Sequence, residues 1–413
     1  MRRTTKSLFA AALAGTVFLA ACGSSDDNAA DSTTTTPAGG TDAGSTESGA
    51  ATLRAGLTSL LQEHVYLAGV TVETAVDAMG DVEDPAVVAA SSALDENSQA
   101  LADAVASVAG QEKGDAFLDL WRNHIGFFVD YTLGKATADD AMVDQALSDL
   151  DGYQEAAGAF FEEITAGNIT SDAVVANLET HIETLTAAID ALVAGDASAF
   201  DLLQQAADHM QTTAAALSGA IVAAVPAMFD GSVDSTASQT RATLTYLLQE
   251  HAYLAGIAVD QAVEASGDLT DPAAAAAVQT LDDNSVALSE VVASVAGQEK
   301  GDAFLDLWRN HIGFFVDYTL GKATADDAMV DQALSDLDGY QEAAGAFFEE
   351  ITAGNLTSDA VVASLETHIE TLTAAIDAVV AGDASAFTKL RAAGQHMPMT
   401  AAALSAAVVA ATS

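Results

Sequence analysis

From Arg54, and again from Arg241, the chain reads almost the same, so its eight histidines recur as four pairs 187 residues apart. The pairs are His64/His251, His124/His311, His181/His368 and His209/His396. A duplicated segment folds as two versions of one unit, and each copy, roughly 170 residues, is long enough to bury a core. Residues 105–168 return unchanged at 292–355, so identity there records a recent copying event and says nothing about selection. The informative positions lie outside that block, where the copies have drifted.

Within a copy the residues predict helix throughout. Alanine, leucine, glutamate and glutamine dominate, and glycine or proline falls mainly at segment edges. Six helices are expected in copy one, over 54–79, 85–109, 114–134, 138–166, 171–194 and 197–223. Asp84-Pro85, Thr170-Ser171-Asp172 and Asp196 supply N-cap chemistry, and Gly80, Gly110, Gly134, Gly167 and Gly195 lie at the ends. Short connections make successive helices antiparallel. The fold class is therefore all-α: two tandem, near-identical antiparallel bundles of about six helices, over 51–225 and 241–413, joined by a linker at 226–240.

Every histidine takes a place in an apolar stripe. In the first helix Leu57, Leu60, Leu61, His64, Leu67 and Ala68 follow helical spacing. The third gives Phe117, Leu120, Trp121, His124, Phe127, Phe128 and Tyr131; the fifth Val174, Leu178, His181, Ile182 and Leu185; the sixth Leu202, Ala206, His209, Met210 and Leu217. The second and fourth helices carry none, although the second places Asn97 in its stripe. A lone core histidine is usually a hydrogen-bonded structural residue. Four per copy are a liability of roughly 1–3 kcal/mol each unless they satisfy one another or bind something. His64, His181 and His209 persist where the copies have drifted: AADHMQTTA around His209 became AGQHMPMTA around His396. Asp208 became Gln395 there, whereas Glu63 persists as Glu250.

The residue types around these positions narrow the chemistry. Di-iron carboxylate bundles need Glu-x-x-His and paired glutamates, and neither Glu-x-x-His nor His-x-x-x-Glu occurs. A histidine-only set at His64, His124, His181 and His209, with His251, His311, His368 and His396, suits copper or zinc. Met210, Met397 and Met399 are possible additional ligands, since thioether favours Cu(I), although methionine beside an apolar row is more often core filler. Glu63, Glu250, Asn97 and Asn284 are candidates for orienting the imidazoles from a second layer. Two axial histidines beside Trp121, Phe127 and Phe128 would also serve a haem; without CxxCH it would be non-covalent. No phosphate loop or nucleophile elbow is present, and no base–nucleophile arrangement names an enzyme.

The N-terminus reads as an export signal over residues 1–21. Arg2, Arg3 and Lys6 precede a short apolar run from Leu8 to Ala21, too short to span a bilayer. Leu19-Ala20-Ala21-Cys22 resembles a bacterial lipobox, which implies lipidation of Cys22 and retention on the outer face of the cell membrane. Cys22 is the only cysteine, so neither a disulfide nor a thiolate metal site is expected in the mature chain. Residues 22–50, rich in Gly, Ser, Thr and Asp, read as a flexible tether. Sixty acidic residues against 13 basic ones, a formal net charge of −47, exclude nucleic acid or anionic lipid as partners through a basic patch.

At LLQEHVYLAG, LWRNHIGFFVDYTLG and the later His-Met the chain resembles a family of uncharacterised bacterial exported helical domains. The resemblance covers both copies and implies fold and location, with no activity to transfer. Leu61-Gln62-Glu63-His64 shares only a flavour of hemerythrin-like domains, whose other ligand spacings are missing. Some members of the exported family end in His-Met-x-Met, as in His396-Met397-Pro398-Met399; copy one reads His209-Met210-Gln211-Thr212. Pro398 is expected to kink its helix. The leading expectation is a tethered lipoprotein whose two bundles each bind a transition metal through four buried histidines, for buffering, delivery or sensing. The alternative is a structural or protein-interaction module with a hydrogen-bonded histidine core and a partner the sequence does not name.

Overall fold

The computed structural model describes residues 44–412, which are helical apart from turns, with no strand among the described residues. The expected signal peptide, most of the tether and Cys22 lie outside the described residues. Copy one folds as α1 (Gly49–Asp77), α2 (Pro85–Ala109), α3 (Gln111–Thr137), α4 (Asp140–Ile164), α5 (Ser171–Ala194) and α6 (Ala199–Ala224). Copy two folds as α7 (Thr236–Glu264), α8 (Pro272–Ala296), α9 (Gln298–Thr324), α10 (Asp327–Ile351), α11 (Ser358–Val380) and α12 (Ala386–Thr412). No helix among the described residues is long and apolar enough to cross a membrane.

Local chemistry sets most ends where the sequence places them. Asp84 caps α2 through the Ala86 N–H at 2.8 Å with Pro85 in the first turn, and Thr170 caps α5 through Ala173 at 3.2 Å. Gly195 closes α5 in the left-handed region at φ 64°. Several boundaries differ: α3 runs three residues past expectation at each end, from Gln111 to Thr137, with Gly134 inside the helix. α1 begins at Gly49, inside the expected tether, because Ser48 accepts from the Ala51 N–H at 3.3 Å. α7 begins at Thr236, inside the expected linker, because Ser235 accepts from Ser238 at 3.2 Å. Asp196 instead accepts from the Ser198 N–H in the turn, and α6 starts at Ala199. α12 continues as helix on both sides of Pro398.

Each copy forms a closed ring. Every helix packs on its neighbours in sequence, and α6 returns to α1 as α12 does to α7. The odd-numbered helices also touch one another across the middle: α1, α3 and α5 in one ring, α7, α9 and α11 in the other. A side chain halfway along an odd helix can therefore reach the centre of its ring.

The two rings pack against each other along their first helices. α1 lies along α7, and both are buried on almost every side. Their tyrosines Tyr66 and Tyr253 stack with ring centres 5.5 Å apart and planes 9° from parallel. The entry segments are exchanged: Arg54 donates to the Val233 carbonyl at 2.7 Å, and its counterpart Arg241 donates to Thr46 at 2.6 Å. Gly44 and Gly231 approach the opposite cap so closely that a Cβ would stand 2.5 Å from Ser235 and 2.6 Å from Ser48.

Candidate metal centre

The middle of each ring is where the imidazoles meet. His64 comes from α1, His124 from α3 and His181 from α5, each several turns from its helix ends. One ring nitrogen from each lies within 4.8 Å of the others, and His251, His311 and His368 repeat the arrangement. The Nε2 atoms of His64 and His124 are 3.4 Å apart, and those of His251 and His311 are 3.3 Å apart. Two imidazoles bound to one tetrahedral ion at zinc–nitrogen distances hold their nitrogens about 3.3–3.4 Å apart. The spacing is thus that of two ligands sharing an ion, and the third nitrogen lies near enough to complete a face.

Aromatic rings form the walls. Tyr153 of α4 stacks on His124 at 4.7 Å and 20°, and Trp121 meets the same imidazole edge-on at 4.5 Å. Trp121 also lies 4.8 Å from His64, and Phe128 meets His181 edge-on at 6.0 Å. These contacts orient the imidazoles without hydrogen bonds to their second nitrogens. Nδ1 of all six is buried without a hydrogen-bond partner, as is Nε1 of Trp121 and Trp308.

Burial decides the protonation state. It pulls the pKa of His64 and His311 down to about 3 and that of His181 and His368 down to about 4. Burial, reinforced by the neighbouring imidazoles, holds His124 and His251 well below the ordinary value. All six are neutral at physiological pH, the form in which imidazole binds metal.

The fourth histidine does not join them. His209 is half-buried on α6 and donates from Nε2 to the Asn177 carbonyl at 3.0 Å; His396 does the same to Ser364 at 3.0 Å. The four-histidine centre is therefore a three-histidine one, because α6 and α12 lie on the rim of the ring rather than across its middle. Met210 is buried and lines the same cavity as His181, and Met397 lies beside His368 in the same way. Met399 is 65% exposed, so it faces away from the centre.

The proposed second layer belongs to a different place. Asn97 donates to the Leu60 carbonyl at 3.0 Å, and Asn284 to Leu247 at 3.0 Å and to Glu250 at 2.7 Å. Glu63, 1% exposed, is paired with Arg391 of α12, which also reaches Glu96 at 2.6 Å. Glu250 has no arginine; it accepts from Tyr66 at 2.8 Å, from Tyr246 at 2.6 Å and from Asn284. Burial raises its pKa to about 7 against these bonds. Glu63 and His64 are consecutive in α1, and one step of about 100° around the helix turns the carboxylate toward the other ring and the imidazole toward its own. Arg391 lies 328 residues from Glu63 along the chain, a separation over which helical periodicity carries no information.

The haem reading does not fit. The cavities adjoining the triads measure about 150, 70 and 50 Å³, well short of the roughly 300–1,000 Å³ of ligand and cofactor pockets. A single ion needs no such space, and each triad can hold one. No family model, curated protein or solved structure matches this chain.

Proposed function

We propose that this chain is a membrane-anchored extracytoplasmic lipoprotein whose rings each bind one copper or zinc ion on three histidines, for buffering, delivery or sensing. One observation carries the proposal: three neutral imidazoles from alternate helices converge within 4.8 Å, in both copies. The donor set contains no thiolate and no carboxylate, which fits copper or zinc better than a hard cation. Buried Met210 and Met397, on the cavity wall beside His181 and His368, would favour Cu(I). The lipobox-like Leu19–Cys22 and the helical-domain motifs support the location. Elemental analysis of the natively purified mature protein, followed by titration of the metal-free chain with Cu(I) and Zn(II), tests the reading. Two ions per chain at micromolar affinity or better are expected, falling to one in His124→Ala. No binding at that affinity would leave the module reading, which the direct Nε2–Nε2 contact of His64 and His124 favours as a hydrogen bond.

A further inference from the structure

The first ring holds an apolar cavity about twice the volume of its counterpart in the second. It measures about 150 Å³ and is lined by residues from all six helices, α1 to α6. Leu57, Leu101, Phe161, Leu217 and Ile221 form much of its wall. Of its polar neighbours, Thr213 donates to Asn177 Oδ1 at 2.7 Å and His209 holds the Asn177 carbonyl, whereas Trp121 Nε1 and His181 Nδ1 have no hydrogen-bond partner. Most of the wall is apolar, and an apolar cavity of this size takes up benzene or xenon.

The second ring holds a smaller space. Its corresponding cavity is about 70 Å³ and does not extend to α8, the counterpart of α2. Among the lining positions, only one carries a larger apolar side chain in copy two: Ala104 of α2 becomes Val291. Leu53, Asn177 and Ile221 become the smaller Thr240, Ser364 and Val408, so Val291 is the one change that adds bulk.

We infer that the first ring holds a binding site for one small apolar molecule of about benzene size, adjoining the histidine triad and larger than its counterpart in the second ring. His181 and Trp121 belong to both the cavity wall and the triad's surroundings, so an occupant packs directly against the metal-binding imidazoles. The site is a property of the fold and does not rest on the metal reading.

The test uses the full chain treated with chelator, with benzene as ligand and xenon as a second probe. Saturable binding of one benzene per chain is expected, with a rise of about 1–2 °C in the thermal midpoint at several times Kd. Ala104→Val, which copies the side chain already accommodated in the second ring, is expected to weaken binding at least tenfold while leaving the fold intact by circular dichroism. Xenon NMR is expected to show one bound environment, lost in the same variant. No saturable binding in the unaltered chain, or equal affinity in Ala104→Val, would overturn the inference. Metal stoichiometry, measured separately, decides the other reading whichever way this one falls.

Discussion

At the scale of single residues, the triads are held in surroundings that oppose their own protonation. A histidine whose pKa falls from the ordinary value to about 4 on folding, as His181's does, binds its proton more readily in the unfolded chain. Its contribution is intact above pH 6.5 and is lost as pH falls toward 4. In the metal-free protein, His181→Leu is therefore expected to be about 2 kcal/mol more stable than the unaltered chain at pH 5, relative to the same comparison at pH 8. Urea unfolding at the two pH values measures this; an equal difference at both would contradict it. A backbone effect is separate. Ala138 ends α3 in the left-handed region at φ 54°, where its Cβ is crowded. Ala138→Gly should raise stability by about 1 kcal/mol, and a loss in the same assay would refute that account.

At the scale of elements, the alternation of helices around each ring explains why three of the four histidines in a copy meet. α1, α3 and α5 cross the middle, while α6, with His209, stays at the rim. Helical periodicity placed each imidazole on its apolar stripe correctly. It could not rank the stripes by depth, since an apolar face is the same in sequence whether it meets the ring centre or a neighbouring helix. The interface of α1 and α7 carries its own electrostatics. Glu63 is buried against Arg391, so Arg391→Met, which removes the charge and keeps the stem, should cost about 3–5 kcal/mol by stranding a buried carboxylate. Adding Glu63→Gln is expected to recover most of that loss. A double variant as unstable as the single one would show that packing, not charge, holds the pair.

At the scale of the whole molecule, the two rings share so much buried surface along α1 and α7 that they should unfold together. A single urea transition is expected, followed alike by Trp121 fluorescence in a Trp308→Phe chain and by Trp308 fluorescence in a Trp121→Phe chain; two separated transitions would contradict the shared core. The same interface collects Glu73, Asp77, Asp260 and Glu264 near one another, and burial raises the pKa of each, that of Asp260 to about 6 and of Glu264 to about 7. A carboxyl group with a raised folded pKa contributes stability below about pH 4.5 and loses it as pH rises through 6–7. Asp260→Asn is accordingly expected to gain about 1–2 kcal/mol at pH 8, allowing for its partial exposure, and little at pH 4. An equal gain at both values would remove charge crowding as the cause.

The amino-acid sequence alone determined the helical class, the duplication, most caps and the burial of the triad histidines, because these follow from spacing and residue type over one or two turns. Tertiary structure decided the rest. It chose which three imidazoles converge, set His209 and His396 on backbone carbonyls, and turned Glu63 and Glu250 from the metal centre to the interface between copies. It also joined the rings, pairing Arg54 with Val233 and Tyr66 with Tyr253 across distances at which sequence periodicity carries no information. Spacing along a helix fixes which side chains share a face; only packing fixes what that face meets.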